Sequence, residues 1–361
     1  MDGHDGRLVP AEQLAALAAE ILAGVGAPHD SAVAVSRSLV RSNLMGHDSH
    51  GVRRLRPYVE AVHEGRIDPA AQPVARPRGS GSVIIEGRRA FGQLSAQCAV
   101  EEIRSATEEH GTATAVIRDG NHVGRLGEYV ESLANHDLVA LAFCNADATV
   151  APFGGRERRL GTNPLAWAVP QAKGAPPIVM DWATSATAEG KLAVALADGQ
   201  RIPYGQLLDA SGEASTDPGS FYEGGALLPF GGHKGYGLGV IIEVLGGLLT
   251  GTGISSLPGY DGSFGTVLCA FDITRFVSAE YFREQAGRFC SQLVHTPLAT
   301  GHDDVLIPGE LEERTRQQRT QQGIPVPETI WRDMHELLSR SDAGQQAADS
   351  PEEVDSYEET R

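Results

Sequence analysis

The 361-residue chain is poor in cysteine, and its four, Cys98, Cys144, Cys269 and Cys290, stand far apart with no C-x-x-C spacing. That excludes a disulfide framework and a zinc ribbon, and leaves the thiols as small core residues in a reducing compartment. No basic stretch leads into an uninterrupted apolar run within residues 1–30, so no signal peptide is expected. Long apolar runs are missing too. The longest, Val240–Thr250, is broken by Glu243, Gly246 and Gly247, too short for a membrane span of about 20 residues. A cytoplasmic protein without a membrane partner is the expectation. Positive charge is scarce: 30 Lys and Arg face 47 Asp and Glu, a net charge of −17 with no basic stripe, which argues against nucleic acid as a partner. The usual phosphate-binding loops are also lacking. No G-x-G-x-x-G lies between a strand and a helix, and there is no G-x-x-x-x-G-K-[ST]. The run Gly235-Tyr236-Gly237-Leu238-Gly239 has the wrong spacing, so neither a conventional Rossmann domain nor a P-loop is expected.

What is present is enough apolar sequence, 41% of residues, for about two folded domains. Helical spacing predicts helices over Ala11–Leu22, Asp30–Met45 (with Asp30 and Ser31 as caps) and Val52–His63. The Pro-rich segment Ile67–Ser82 reads as a crossing between domains. Strand and helix patterns then alternate. Strands are expected at Val83–Gly87, Thr112–Gly120, Leu138–Ala146, Pro164–Pro170, Pro176–Thr184 and Gly265–Phe271, and helices at Leu94–His110, Glu128–His136 and Gly237–Leu249. Phe276–Val294 and Pro327–Arg340 again read as helical. The expected organisation is a helical domain from residues 1–75 with 300–340, an α/β body over 76–299, and a disordered acidic tail over 341–361. From Asp342 onward that tail carries seven acids and one arginine.

Five segments concentrate reactive side chains. In His47–Val59, Ser49 and His50 precede Gly51 at a helix entrance, and Arg53, Arg54 and Arg56 follow, suited to clamping a carboxylate. A capping serine with solvated charges is the plainer alternative. His47 and His50 also have metal-pair spacing, although no third ligand is near, and no metal is expected. In Arg118–Val130, His122 sits among Gly120, Asn121 and Gly124 in a strand-to-helix turn, where α/β proteins place active groups. The turn Gly161-Thr162-Asn163-Pro164 offers backbone amides to an anion, or simply precedes a strand. Asp181 ends an apolar strand ahead of small hydroxyl residues, placed for a ribose or as a helix cap. Lys234 lies in a Gly-rich turn before a helix, suited to a phosphate or to solvent.

Taken together and in order, these pieces resemble the non-Rossmann malate/L-lactate dehydrogenase family, which includes sulfolactate, ureidoglycolate and diketogulonate dehydrogenases and piperideine/pyrroline-2-carboxylate reductases. The matching runs are Ser49-His50-Gly51-Val52 with Arg54; Gly120-Asn121-His122-x-Gly124; Pro152-Phe153-Gly154-Gly155; Gly161-Thr162-Asn163-Pro164; Asp181-x-Ala183-Thr184-Ser185; Leu228-Pro229-x-Gly231-Gly232-His233-Lys234-Gly235; and Pro308-Gly309-Glu310 with Gly323-Ile324-Pro325. The resemblance implies a non-Rossmann mixed-sheet α/β body, a homodimer, and NAD or NADP as coenzyme. It implies hydride transfer between nicotinamide and a 2-oxo/2-hydroxy acid, or a cyclic 2-imino acid. Carried over, His122 and His50 compete for the acid/base role with Ser49 and Asp147 beside them, His122 being favoured because glycines open the backbone around it. Arg54 matches a substrate-carboxylate arginine, with Asn121, Asn145 and Thr162 nearby. Asp181, Trp182, Ala183, Thr184, His233, Lys234, Gly309 and Glu310 match the coenzyme site. Two positions depart from the pattern. Val123-Gly124-Arg125 follows His122, where Arg125 is expected to add charge at the pocket mouth, and Trp182 is larger than usual. Rival readings are a non-catalytic nucleotide- or partner-binding relative and a metal-dependent hydrolase built on His47, His50 and His122.

Overall fold

A computed structural model describes residues 6–260 and 262–348, with side chains as far as Arg340. After a short strand β1 (Gly6–Val9), α1 (Ala11–Gly24) buries Leu14, Leu17, Ala18, Ile21 and Leu22, one stripe at helical spacing. Helix α2 (His29–Leu44) starts ahead of the caps read from the sequence. Pro28 fixes its own φ at −54° and takes the boundary, while Ser31 is buried and accepts a hydrogen bond from Gln72. The helix expected from Val52 is also interrupted. Asp48–His50 and Val52–Arg54 are separate 3-10 turns, and α3 begins only at Leu55 and ends at His63. The cause is Asn43, whose carboxamide accepts from the Val52 N–H at 2.9 Å and donates to Asp48 at 2.6 Å.

The Pro-rich crossing contains an edge strand, β2 (Val74–Pro77), where proline costs no ladder bond. Then follow β3 (Ser82–Glu86), α4 (Gly92–His110), β4 (Thr112–Arg118), α5 (Leu126–Ala134), β5 (Leu138–Cys144), β6 (Leu165–Val169) and β7 (Ile178–Trp182). A smaller lobe holds α6 (Glu189–Ala197), β8 (Leu207–Leu208), β9 (Ala214–Ser215), α7 (Gly219–Tyr222) and β10 (Ala226–Leu227). Helix α8 (His233–Glu243) runs into a wider π-helical stretch, Val244–Leu249, and precedes β11 (Thr266–Asp272). The chain closes with α9 (Ala279–Val294), α10 (Glu310–Gln322), β12 (Ile324–Pro327) and α11 (Glu328–Ala348). The sequence pattern missed α10, which is polar all round and has no buried residue to betray its period.

The main sheet has seven strands in the order β2-β3-β4-β11-β5-β6-β7. Only β3 and β4 pair in parallel, through α4. Every other neighbour is antiparallel, so the body is a mixed α/β sheet and not a doubly wound parallel one. One core lies between this sheet and α4 and α5, around Ile85, Ile103, Ile117, Tyr129 and Leu133. A second core joins α1, α2, α3 and α11 with Phe91 and Leu94 at the head of α4. Strands β1 and β12 pair antiparallel beside it, Val9 opposite Ile324. Helix α11 continues past Arg340 to Ala348, so the expected acidic tail begins within a helix, and the rest of that segment lies outside the described residues. Among the described residues no helix is long and apolar enough to cross a membrane.

Candidate active site

His122 follows β4 in a loop that crosses the head of α4. The approach is so close that a Cβ at Gly92 would overlap the carbonyls of Asn121 and His122. His50, at the end of the first 3-10 turn, lies against it. The two imidazoles stack with centroids 5.4 Å apart and 22° between planes. Phe264 presents its edge to His122 at 5.8 Å. The Nδ1 atoms of both rings are engaged. His50 Nδ1 is 3.0 Å from Ser49 Oγ, and His122 Nδ1 is 2.8 Å from the Tyr58 hydroxyl. Tyr58 in turn accepts from Gln93 Nε2 at 2.7 Å. Arg54 donates through Nε to the Ser49 carbonyl at 2.8 Å, which leaves its terminal nitrogens for a ligand.

Burial and the nearby Arg54 charge push both histidines down, His50 to about 3 and His122 well below the ordinary range. His47 and Arg125 add to the effect on His50, and His50 adds to that on His122. Both rings are therefore neutral near pH 7. Burial pushes the Tyr58 hydroxyl up to about 12, so it stays a proton-bearing phenol.

Hydrogen bonds join several of the remaining segments to one another. Thr184 Oγ1 donates to the carbonyls of Thr162 and Asn163, and the Phe230 N–H donates back to the Thr184 carbonyl. Asp181 accepts from the Gly127 N–H, at the head of α5, at 2.7 Å. Gly190, near the start of α6, abuts the Ser49 side chain. Gly309 packs on Val179, and Glu310 accepts from the Ile307 N–H at 3.1 Å while pairing with Arg314. His233 and Lys234 stand exposed at the N-terminal end of α8, after Gly231 and Gly232 at φ 56° and 63°. Trp182 and Ala183, between Asp181 and Thr184 in sequence, are half-buried.

Several expected positions do other work. Asn121 spends its amide on the carbonyls of Ala90 and Arg89, and buried Asn145 donates to Gly253 and accepts from Gly265. Both are committed to backbone and tie loops together. Asp147 faces the Tyr260 hydroxyl, while the Nδ1 neighbours of the two histidines are Ser49 and Tyr58. Arg125 is not at the pocket mouth. It is 4% exposed, near Glu131 and Asp181, with Nε and Nη2 lacking hydrogen-bond partners. His47 turns away from His50 to Glu312, at 3.5 Å. Sequence reading overlooked Tyr58, Gln93 and Glu243. Only Tyr58 carried a signal, four residues after Arg54 and so on the same helical side.

The model for the malate/L-lactate dehydrogenase family matches residues 9–335. The chain belongs to that family. It is an oxidoreductase of the hydroxy-acid dehydrogenase kind. The L-sulfolactate dehydrogenase of Methanothermobacter thermautotrophicus is 32% identical over 330 residues, covering 90% of this chain and 94% of that one. Among solved structures, malate dehydrogenase from Entamoeba histolytica aligns with a TM-score of 0.89 at 25% identity, over 94% of this chain and 99% of that one. The delta1-piperideine-2-carboxylate reductase from Pseudomonas syringae aligns at 0.83 and 30% identity, over 92% and 99%.

Proposed function

We propose that the enzyme interconverts a small 2-hydroxy acid and its 2-oxo acid with NAD or NADP, as a cytoplasmic homodimer. The observation that carries this reading is the stacked His50–His122 pair with Arg54 beside it. The guanidinium is suited to a substrate carboxylate, and a ring nitrogen to the reacting oxygen. Both rings being neutral, the pair has the charge state that accepting a proton from the hydroxyl of a hydroxy acid requires. A bound carboxylate offsets the Arg54 charge, raising both histidines and holding the proton once taken. The residual groups fit a dinucleotide. Helix α8 presents its positive end, Lys234 and His233 to a pyrophosphate, and the Asp181–Thr184 strand end and Gly309-Glu310 adjoin the same edge. When bound, the nicotinamide supplies the hydride acceptor or donor. Exposed Ile241, Leu248 and Leu249 along α8 and its extension suit burial against a second copy, and four unpaired thiols suit a reducing compartment.

The test is coenzyme absorbance against a panel of 2-oxo acids and cyclic 2-imino acids. Oxidation of NADH or NADPH by one member is the expected result, and absence of coenzyme binding overturns the reading. The likeness to a piperideine-carboxylate reductase favours a second reading, reduction of a cyclic imine. The two separate by His122→Ala. A ketone needs a proton as hydride arrives and loses far more rate than an imine that binds already protonated.

A further inference from the structure

We propose that Gln93, acting through the Tyr58 hydroxyl, decides which ring nitrogen of His122 carries the proton, and is a positioning residue for the reaction. This rests on the reading of His122 as the group that meets the substrate oxygen. Gln93 is 0% exposed in the first turn of α4. Its Nε2 donates to Tyr58 Oη at 2.7 Å, and Tyr58 Oη lies 2.8 Å from His122 Nδ1. A phenol has one proton. With an amide N–H already aimed at its oxygen, that proton points to His122 Nδ1. Nδ1 is then the acceptor, the ring proton sits on Nε2, and His122 offers an N–H donor.

A base needs the opposite sense. For Nε2 to carry a lone pair, Nδ1–H must donate to Tyr58 Oη, and the Tyr58 proton must pass to an acceptor beyond it. Gln93 Oε1 is buried and has no hydrogen-bond partner. A turn of the carboxamide places that oxygen opposite Tyr58 and reverses the chain. Among uncharged side chains a carboxamide can give and accept from the same place, so Gln93 permits both senses with no buried charge. The other groups facing His122 do not take this part: His50 stacks on it, Arg54 acts through its field, and Phe264 is apolar.

The experiment is nitrogen NMR of histidine-labelled protein, without substrate, with the His122 signals assigned by their loss in His122→Asn. The wild-type ring is expected with its proton on Nε2. Gln93→Glu, which when ionised only accepts, is expected to move that proton to Nδ1 and raise the His122 titration by about one pH unit or more. Adding Tyr58→Phe is expected to abolish the effect of Gln93→Glu. The acid limb of kcat is expected to move with the NMR titration. A wild-type ring protonated on Nδ1 overturns the proposal, as does a folded Gln93→Glu protein with an unmoved His122. So does a moved tautomer with an unmoved kcat limb. If Gln93→Glu does not fold, Gln93→Met is the substitute. A mixture of tautomers there is the expected result, and an unchanged single tautomer overturns the proposal. Because the NMR needs no turnover, failure of every hydroxy acid as substrate would overturn the functional reading and leave the tautomer result standing.

Discussion

His50 and His122 share two causes of depression, burial and the Arg54 field, and these set the pH behaviour of the pocket. In hydroxy-acid oxidation the base must be neutral. A lowered pKa therefore extends activity toward acid, and activity is lost only as pH falls through the folded value. kcat/KM for oxidation is expected to stay level as pH drops through 6.5, with its acid limb well below that. A limb near 6.5 would mean that the base is solvated. The same groups act on stability. The unfolded histidines take up protons below about 6.5 while the folded ones resist, so folding weakens as pH falls from there toward 3. Over that window His50 alone takes up about one more proton in the unfolded chain than in the folded one, and His122 acts in the same direction. His50→Asn is expected to flatten the fall of melting temperature with pH across that window.

At the scale of elements, the two 3-10 turns aim His50 because the Asn43 carboxamide is bonded into them. A Cβ at Gly51 would overlap that carboxamide. Gly51→Ala is expected to cost about 1–3 kcal/mol in urea unfolding and to lower kcat, since the turn carrying His50 must shift. Helix α8 is tied down differently. Its buried Glu243 accepts from Asn163 Nδ2 and the Ser255 N–H, each at 2.7 Å. Glu243→Gln puts an amide among donors, and a loss of about 1–3 kcal/mol is expected by the same measurement. These ties were illegible in the sequence. Ser49, His50, His122 and Arg54 stood out because they cluster within short runs. Gln93 and Glu243 sit alone in ordinary helical patterns, and their side-chain partners Tyr58 and Asn163 are 35 and 80 residues away. The main strands were legible from apolar runs. The insertion of β11 between β4 and β5 was not, because no local pattern encodes which strands pair at long range.

At the scale of the whole molecule, the helical core draws on both halves of the chain, from Leu14, Ile21 and Leu39 to Ile324, Val326 and Met334. Ile324 is 0% exposed, and Ile324→Ala is expected to cost about 2–5 kcal/mol. Hydrogen exchange in α1 should quicken with it. If α1 kept its protection, the core would not be one cooperative unit. The β1–β12 pairing carries this further, into synthesis. On the ribosome α1, α2 and α3 emerge long before β12 and α11, with their apolar stripes bare. The turns that aim His50 belong to this same layer. The layer that carries the candidate pocket therefore closes only after β12 and α11 have emerged, and until then its apolar stripes are open to aggregation.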